Sequence, residues 1–363
     1  MENQDILDFA NMVFSMEYGS TDFEALYPKA YSRECCHIPV HHTIEEEGKI
    51  KALLDVYPVT LKLNGSDRSI RAAYIGTVSV HPKYRGKGYF TELMQRAEQD
   101  AVDNGFDLML LDGNRHRYRY YGFEQAGVKC NFSMRISNLW HRCRELYPEK
   151  ELFAPRYSFE EIDGESAYIP FLYTLYQRRA VTARTREQFF LCLKGGLAVT
   201  YAVLEGKRPV GYVNLSDDDK NILEFELEKS AYIPRMLCDF MDGMELEELG
   251  LSVGMDETEK IHQLEGASAY YSLSVSHQMK LLCPERVLDF LVSWRKFYDT
   301  RVINADAVKK LWRELKVPDM EKISLLTTPR CFMELQKGEN GLLKGIPSDW
   351  LPLPFFLPDG DAF

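Results

Sequence analysis

Residues 72–127 read AAYIGTVSVHPKYRGKGYFTELMQRAEQDAVDNGFDLMLLDGNRHRYRYYGFEQAG. Residues 72–80 are apolar and β-branched and predict a strand. His81-Pro82 ends it, because proline has no N–H to give to a ladder. Gly86 and Gly88 follow, and residues 90–104 place Leu93, Met94, Ala97 and Ala101 on one helical face. The glycines therefore fall where a strand hands over to a helix. Glycine lets successive N–H groups turn toward one point, and the helix N-terminus adds its dipole, so the loop suits an anion. Lys83, Arg85 and Lys87 add positive charge, and a pyrophosphate is the natural ligand. The motifs GxxxxGK[ST] and GxGxxG are both missing from this loop, and a bare GxG also occurs in ordinary tight turns.

The wider context carries a resemblance. VSVHPKYRGKGY (78–89) resembles the acetyl-coenzyme A loop of the GNAT N-acetyltransferases, whose pattern is [Q/R]xxGx[G/A]. Lys83, Gly86 and Gly88 carry the match, with Lys83 where the family has Gln or Arg. YRYYGFEQAG (118–127) resembles the family's Tyr-xxx-Gly-Phe segment, with Tyr118 ahead of Gly122. The resemblance extends over residues 1–135. It implies an α/β (α+β) fold, a mixed sheet flanked by helices, with acetyl-coenzyme A as cofactor. The strand carrying Val78 and Val80 would splay from its neighbour at 107–111, and pantetheine would lie along it as an added strand. The pyrophosphate would rest on the N–H groups of Arg85, Gly86, Lys87, Gly88, Tyr89 and Phe90. The thioester carbonyl would face a backbone N–H near Val78 or Val80, as at an oxyanion hole.

Acyl transfer to an amine makes two demands. A primary amine with a pKa of about 10.4 arrives protonated and must lose a proton. The thiolate leaving group, with a pKa around 8.5, can take one from a neutral phenol near 10. Tyr118 fits the donor by position, with Tyr120, Tyr121 and simple aromatic packing as the other readings. For the base, Asp112 ends the strand that faces the cleft, and Glu24 lies in the first helical region. Glu45, Glu46 and Glu47 precede Gly48 and read as a solvated hairpin turn. The chain closes on the apolar LPLPFFLPDGDAF, unusual for a tail, which is normally polar. In Eis-type acetyltransferases, which join two GNAT-like units to a third domain, the terminal carboxylate serves as base. The same reading puts the α-carboxylate of Phe363 at the acceptor site.

The chain has 363 residues, 45% of them hydrophobic, enough for two or three domains with proper cores. No apolar run approaches the roughly 20 residues of a membrane span, and the acidic start MENQDILDFA is unlike a signal peptide. Eight scattered cysteines without CxxC spacing read as reduced thiols, hence a cytoplasmic protein. Cys35-Cys36-His37 with His41-His42 invites a metal reading, but adjacent ligands do not easily share one tetrahedral ion, and no metal is expected. The net charge of −11 disfavours nucleic acid and favours a cationic acceptor.

The second half restarts a similar pattern. Residues 197–204 and 209–215 predict a hairpin, 221–227 and 249–253 strands, and 233–244 a helix. The loop between strand and helix reads Lys229-Ser230-Ala231-Tyr232, without a glycine pair, so it predicts a repeat that lost its cofactor site. Residues 286–298 and 305–315 predict helices and 322–326 a strand. The organisation expected is a catalytic GNAT unit (1–145), a degenerate second unit (155–282) and a C-terminal segment (283–363), a shortened sterol-carrier-like domain if the Eis resemblance extends there. The activity expected is acetyl transfer to a primary amine of a small molecule, polyamine- or aminoglycoside-like. An acyl-coenzyme A sensor and a protein acetyltransferase are the alternatives. Homo-oligomers, as among Eis-type enzymes, are a further implication of the resemblance.

Overall fold

The computed structural model describes residues 3–63, 66–178, 181–299, 305–335, 346–347 and 350–361. Eleven strands form one sheet: β1 (Val40–Glu46), β2 (Lys49–Lys62), β3 (Ser69–Val80), β4 (Leu108–Leu111), β5 (Glu124–Arg135), β6 (Ser158–Glu161), β7 (Val199–Glu205), β8 (Arg208–Leu215), β9 (Asn221–Leu227), β10 (Glu248–Gly254) and β11 (Ser268–Leu281). Their spatial order is β1-β2-β3-β4-β11-β5-β10-β9-β8-β7-β6.

The order reveals two tandem units of one design. In the first, β1, β2 and β3 form an antiparallel meander, and helix Tyr89–Asp103 crosses over to β4, parallel to β3. In the second, β7, β8 and β9 repeat the meander, and helix Ile233–Gly243 crosses to β10, parallel to β9. Each unit then lends its last strand to the other: β11 enters between β4 and β5, and β5 between β10 and β11. The stretch 131–135 is thus the end of a central strand, and helix Ile136–Leu146 follows it.

Local chemistry explains the elements. The β1–β2 turn places Glu47 and Gly48 at φ 55° and 69°, the left-handed pair a two-residue hairpin requires. Helix Tyr89–Asp103 buries Leu93, Met94, Ala97 and Ala101 against Ala73, Ile75, Met109 and Leu111 on one face of the sheet. The other face is covered by helices Asn3–Tyr18, Pro284–Tyr298 and Asp319–Thr327 and by the C-terminal strap 351–361, whose Leu353, Phe355 and Leu357 join Tyr74, Leu110 and Met279 in one core. Gly127, at φ 79°, has to be glycine, because a Cβ there would stand 2.1 Å from the carbonyl oxygen of Phe355.

Helices Pro284–Tyr298 and Ala305–Glu314 match expectation. Residues 322–326 do not form a strand; they lie inside helix Asp319–Thr327, where Ile323, Leu325 and Leu326 are buried. Their apolar run is short enough to suit either period, and packing on β5 and β11 selects the helix. Among the described residues no strand follows β11, and no helix is long and apolar enough to cross a membrane. None of the eight cysteines is in a disulfide.

Candidate active site

The site begins where β3 and β4 part. They pair at four positions only, from Ala72↔Leu108 to Ile75↔Leu111. β4 ends there, while β3 runs on to Val80. The other edge of β3 stays on β2 through a bulge between Asp55↔Gly76 and Leu53↔Ser79, with Thr77 at φ 50°. Bulges of this kind re-aim a strand. Against the freed end of β3 lies a cavity of about 470 Å³ lined by Val78, Ser79, Val80, Arg85, Gly86, Gly88, Tyr89 and Phe90. Val13, Phe14, Glu17 and Tyr18 of helix Asn3–Tyr18 close its far side.

Gly86 and Gly88 sit at φ 82° and 86°, and a Cβ on either would meet nothing within 4 Å. Gly88 is the N-cap of helix Tyr89–Asp103 and supplies no side-chain cap. The first-turn N–H groups therefore lack the partner that a Ser or Asp cap would give. This open, positively polarised end suits a pyrophosphate, so the residues fit the head of an acyl-coenzyme A. Arg85 adds a guanidinium at the rim, bonded to Glu17 Oε2 at 2.8 Å. Ser79 lines the cavity with a buried hydroxyl that has no protein partner. Of the loop's lysines, Lys83 lines a separate hollow with Asp5, Asp8 and Glu45. Lys87 pairs with Glu46 at 3.4 Å and covers the Tyr84 ring.

Tyr118 ends the short helix Arg115–Tyr118, whose N-cap Asn114 accepts from the His116 N–H at 3.0 Å. Its ring is buried against Phe90, a cavity residue, at 5.9 Å and against Phe123 at 6.3 Å. Gly113 makes that placement feasible, since a Cβ there would lie 2.6 Å from the ring. Burial pushes the Tyr118 phenol up, with Arg117 pulling weakly the other way. Tyr120 is fully exposed and Tyr121 bonds Thr91, so the aromatic run separates by burial.

Asp112 follows β4 directly. Tyr74 donates its hydroxyl to Oδ2 at 2.5 Å, and His277 Nδ1 lies 3.2 Å from Oδ1. Partial burial raises this carboxyl, but the hydrogen bonds from His277 and Tyr74 outweigh it, and the net shift is downward. The next residue on β11, Gln278, donates to the Gly113 carbonyl at 2.6 Å. Both arrive on the strand lent by the second unit, in the register Gln278↔Leu111. No local pattern signals His277, which lies 165 residues from Asp112 along the chain. Beside the bulge, buried Asp55 accepts from Tyr31 and lies 2.7 Å from His41 Nδ1, and Thr77 Oγ1 is 2.5 Å from the Tyr31 hydroxyl. His41 is thus held by a carboxylate rather than grouped with Cys35 and Cys36. Phe363 lies outside the described residues. The strap is described to Asp361, which accepts from Arg184 Nε at 2.7 Å, and the Gly360 carbonyl accepts from Lys29 Nζ at 2.9 Å.

Residues 1–126 match the model of an acetyltransferase (GNAT) domain. This part of the chain is similar to a GNAT acetyltransferase domain. The enzyme class follows: the protein is an acyltransferase that uses an acyl-coenzyme A. Solved structures extend the likeness over both units. A GCN5-related N-acetyltransferase from Kribbella flavida is similar at 17% identity and TM-score 0.56, over 79% of this chain and 72% of that one. Eis1 from Mycobacterium abscessus is similar at 16% identity and TM-score 0.53, over 80% and 74%. A probable N-acyltransferase from Enterococcus faecalis V583 is similar at 14% identity and TM-score 0.57, over 79% and 72%. At these identities the likeness is one of fold. No curated protein matches the sequence.

The second unit repeats the splay of the GNAT domain. β9 and β10 pair only at Asn221↔Gly250 and Ile222↔Leu251 and then part. The turn into helix Ile233–Gly243 is built differently. Tyr232 stacks on Tyr147 at 5.4 Å, the Tyr147 hydroxyl bonds the Ala231 carbonyl at 2.7 Å, and Arg156 lies 4.0 Å over the Tyr232 ring. Side chains occupy the place that the glycines leave open in the first unit.

Proposed function

We propose that the protein transfers an acetyl group from acetyl-coenzyme A to a primary amine of a small molecule by direct attack within a ternary complex. The observation that supports this best is the β3–β4 splay, with an uncapped glycine-rich helix start at one side, Tyr118 packed on the cavity residue Phe90, and Asp112 directly after β4 where the strands part. Bound there, the cofactor would supply an activated acyl carbon. The backbone of Val78 and Val80 offers a strand edge with no β-ladder partner on the β4 side to align it, and the N–H groups of residues 85–90 would hold its pyrophosphate. Asp112, kept ionised by His277 and Tyr74, would take the proton that the ammonium must lose before its nitrogen can attack. Tyr118, kept protonated by burial, would hold a proton at its hydroxyl for the departing sulfur. The α-carboxylate of Phe363 is the rival for the role of base. The negative net charge and the carboxylates Glu17 and Asp112 favour a cationic acceptor, polyamine- or aminoglycoside-like. The second unit shapes and supports this site without holding a cofactor of its own.

The test is thiol release from acetyl-coenzyme A across aminoglycosides, polyamines, lysine peptides and amino acids. Release with small amines is expected, and Tyr118→Phe should lower kcat by roughly 10²–10⁴-fold with the cofactor still bound. Lysine peptides reacting alone would reassign the substrate to protein. Silence across the panel with cofactor binding retained would favour the sensor reading. Removing the last two residues separates Asp112 from Phe363 as base.

A further inference from the structure

The cleft between β9 and β10 is the counterpart of the cofactor cleft, and its contents are specific. It encloses about 60 Å³, several times the 10–15 Å³ that admits one water. Five carboxylates line it: Glu224, Glu226, Asp256, Glu257 and Asp361. Two cations answer them nearby. Arg184 bonds Glu224 and Asp361, each at 2.7 Å, and Lys260 bonds Glu226 at 2.7 Å and Glu257 at 2.5 Å. Lys29 donates to the carbonyl of Gly360 at 2.9 Å, lies over the Tyr57 ring and feels the charge of Asp361. Burial pushes Asp256 up to about 6. Even with Asp256 neutral and Lys29 included, carboxylates remain in excess among the described residues.

Among the described residues, two polar atoms in this lining have no hydrogen-bond partner: Asp361 Oδ2 and Thr182 Oγ1, on residues only 3% and 7% exposed. A buried carboxylate oxygen without a donor is costly. Trp294, Tyr176, Phe225 and Phe356 complete the wall; Arg184 already lies 4.6 Å over the Tyr176 ring and Lys260 4.7 Å over that of Phe225, so the wall suits cations beside aromatic rings. Among the described residues no group of three or more His, Cys, Asp or Glu could hold a metal ion. The complementary guest is a cation that donates hydrogen bonds and is small enough to sit beside aromatic rings.

We propose that the β9–β10 cleft binds the ammonium head of a primary amine, accepted by Asp361 and Thr182 and clasped against the C-terminal strap. The site would place an amine sensor under the strap that ends the chain, separate from the acyl-transfer centre.

The full chain, with no thioester present, is titrated with methylammonium chloride while tryptophan fluorescence and Tm are followed. Potassium chloride and tetramethylammonium chloride at matched ionic strength are the controls. A saturable response to methylammonium is expected, with none to tetramethylammonium, which cannot donate. Asp361→Asn, which still accepts from Arg184, should weaken binding by roughly tenfold or more. Thr182→Val, which leaves every ion pair intact, should weaken it several-fold. Asp112→Asn should leave the response unchanged, which separates this site from the acceptor site. Spermidine binding more tightly than methylammonium would identify a polyamine as the occupant, and spermidine failing to bind would identify a lone ammonium. No saturable response, an equal response to tetramethylammonium, or full binding in both the Asp361 and Thr182 variants would overturn the proposal.

Discussion

The β3–β4 and β9–β10 clefts have the same backbone plan and opposite fillings. In both, two parallel strands part after a short ladder and a helix starts beyond the gap. In the first, two left-handed glycines and an uncapped helix leave about 470 Å³ open. In the second, Tyr232, Tyr147 and Arg156 occupy the turn, while ion pairs and the C-terminal strap reduce the gap to about 60 Å³. One splayed sheet can thus serve as a ligand slot or as a socket for its own chain. The choice rests on whether the turn carries side chains.

Substitutions can break or sharpen this contrast. The largest effect is expected at Arg184, which is 2% exposed and shared by Glu224 and Asp361. Arg184→Leu strands two buried carboxylates and should cost about 3–5 kcal/mol in urea denaturation. A loss within experimental error would mean that Glu224 and Asp361 are solvated without Arg184 and the contrast weaker than drawn. Next comes Gly88→Val, which forces a β-branched residue to φ 86° in front of the helix start. Affinity for coenzyme A by calorimetry should fall roughly a hundredfold, from strain plus lost phosphate contacts. The mirror change, Tyr232→Gly, should create no coenzyme A binding, because Tyr147 and Arg156 remain.

A smaller effect concerns Asp256. Its folded pKa of about 6 lies above that of an unfolded carboxylate, so between those values the folded state holds the extra proton. The stability of the wild type should therefore gain from this group as pH falls from 7 toward 4, and lose it as pH rises through 6. Asp256→Asn, which can still accept from Trp294 Nε1, should remove that slope and stabilise the protein at pH 8 by on the order of 2 kcal/mol. Equal pH profiles for the two proteins would count against the burial of the Asp256 carboxyl. The smallest effect tests whether one unit serves the other. His277→Ala should lower kcat roughly tenfold with KM for the acyl donor unchanged. The acidic limb of the pH–rate profile should move to higher pH, because His277 holds Asp112 down. His277→Asn, able to donate to Asp112, should restore much of the rate. An unmoved profile would assign His277 to packing alone.

How much of this was legible follows the range of each interaction. The turn at Glu47-Gly48, the strand ending at Val80, the glycine pair and the helix after it depend on neighbours in sequence, and each stands where residue type and period place it. The glycine-free turn at Lys229–Tyr232 was readable for the same reason. Residues 322–326 misled because five apolar-rich positions suit either period, and only contact with β5 and β11 settles them. Lys83 and Lys87 were grouped with Arg85 by proximity in the chain, yet the short helix Pro82–Tyr84 turns Lys83 to another hollow, and Glu46 draws Lys87 aside.

By itself the sequence determined the local devices: where backbone could bend left-handed, where a helix could start without a cap, and which halves repeat a pattern. Those are properties of single residues and their spacing. The tertiary structure alone decided the strand exchange, the His277–Asp112 pair and the strap that fills the second cleft. Each depends on β-ladder partners and ion pairs far apart in the chain, and neither hydrophobic period nor charge order records which distant strand will dock.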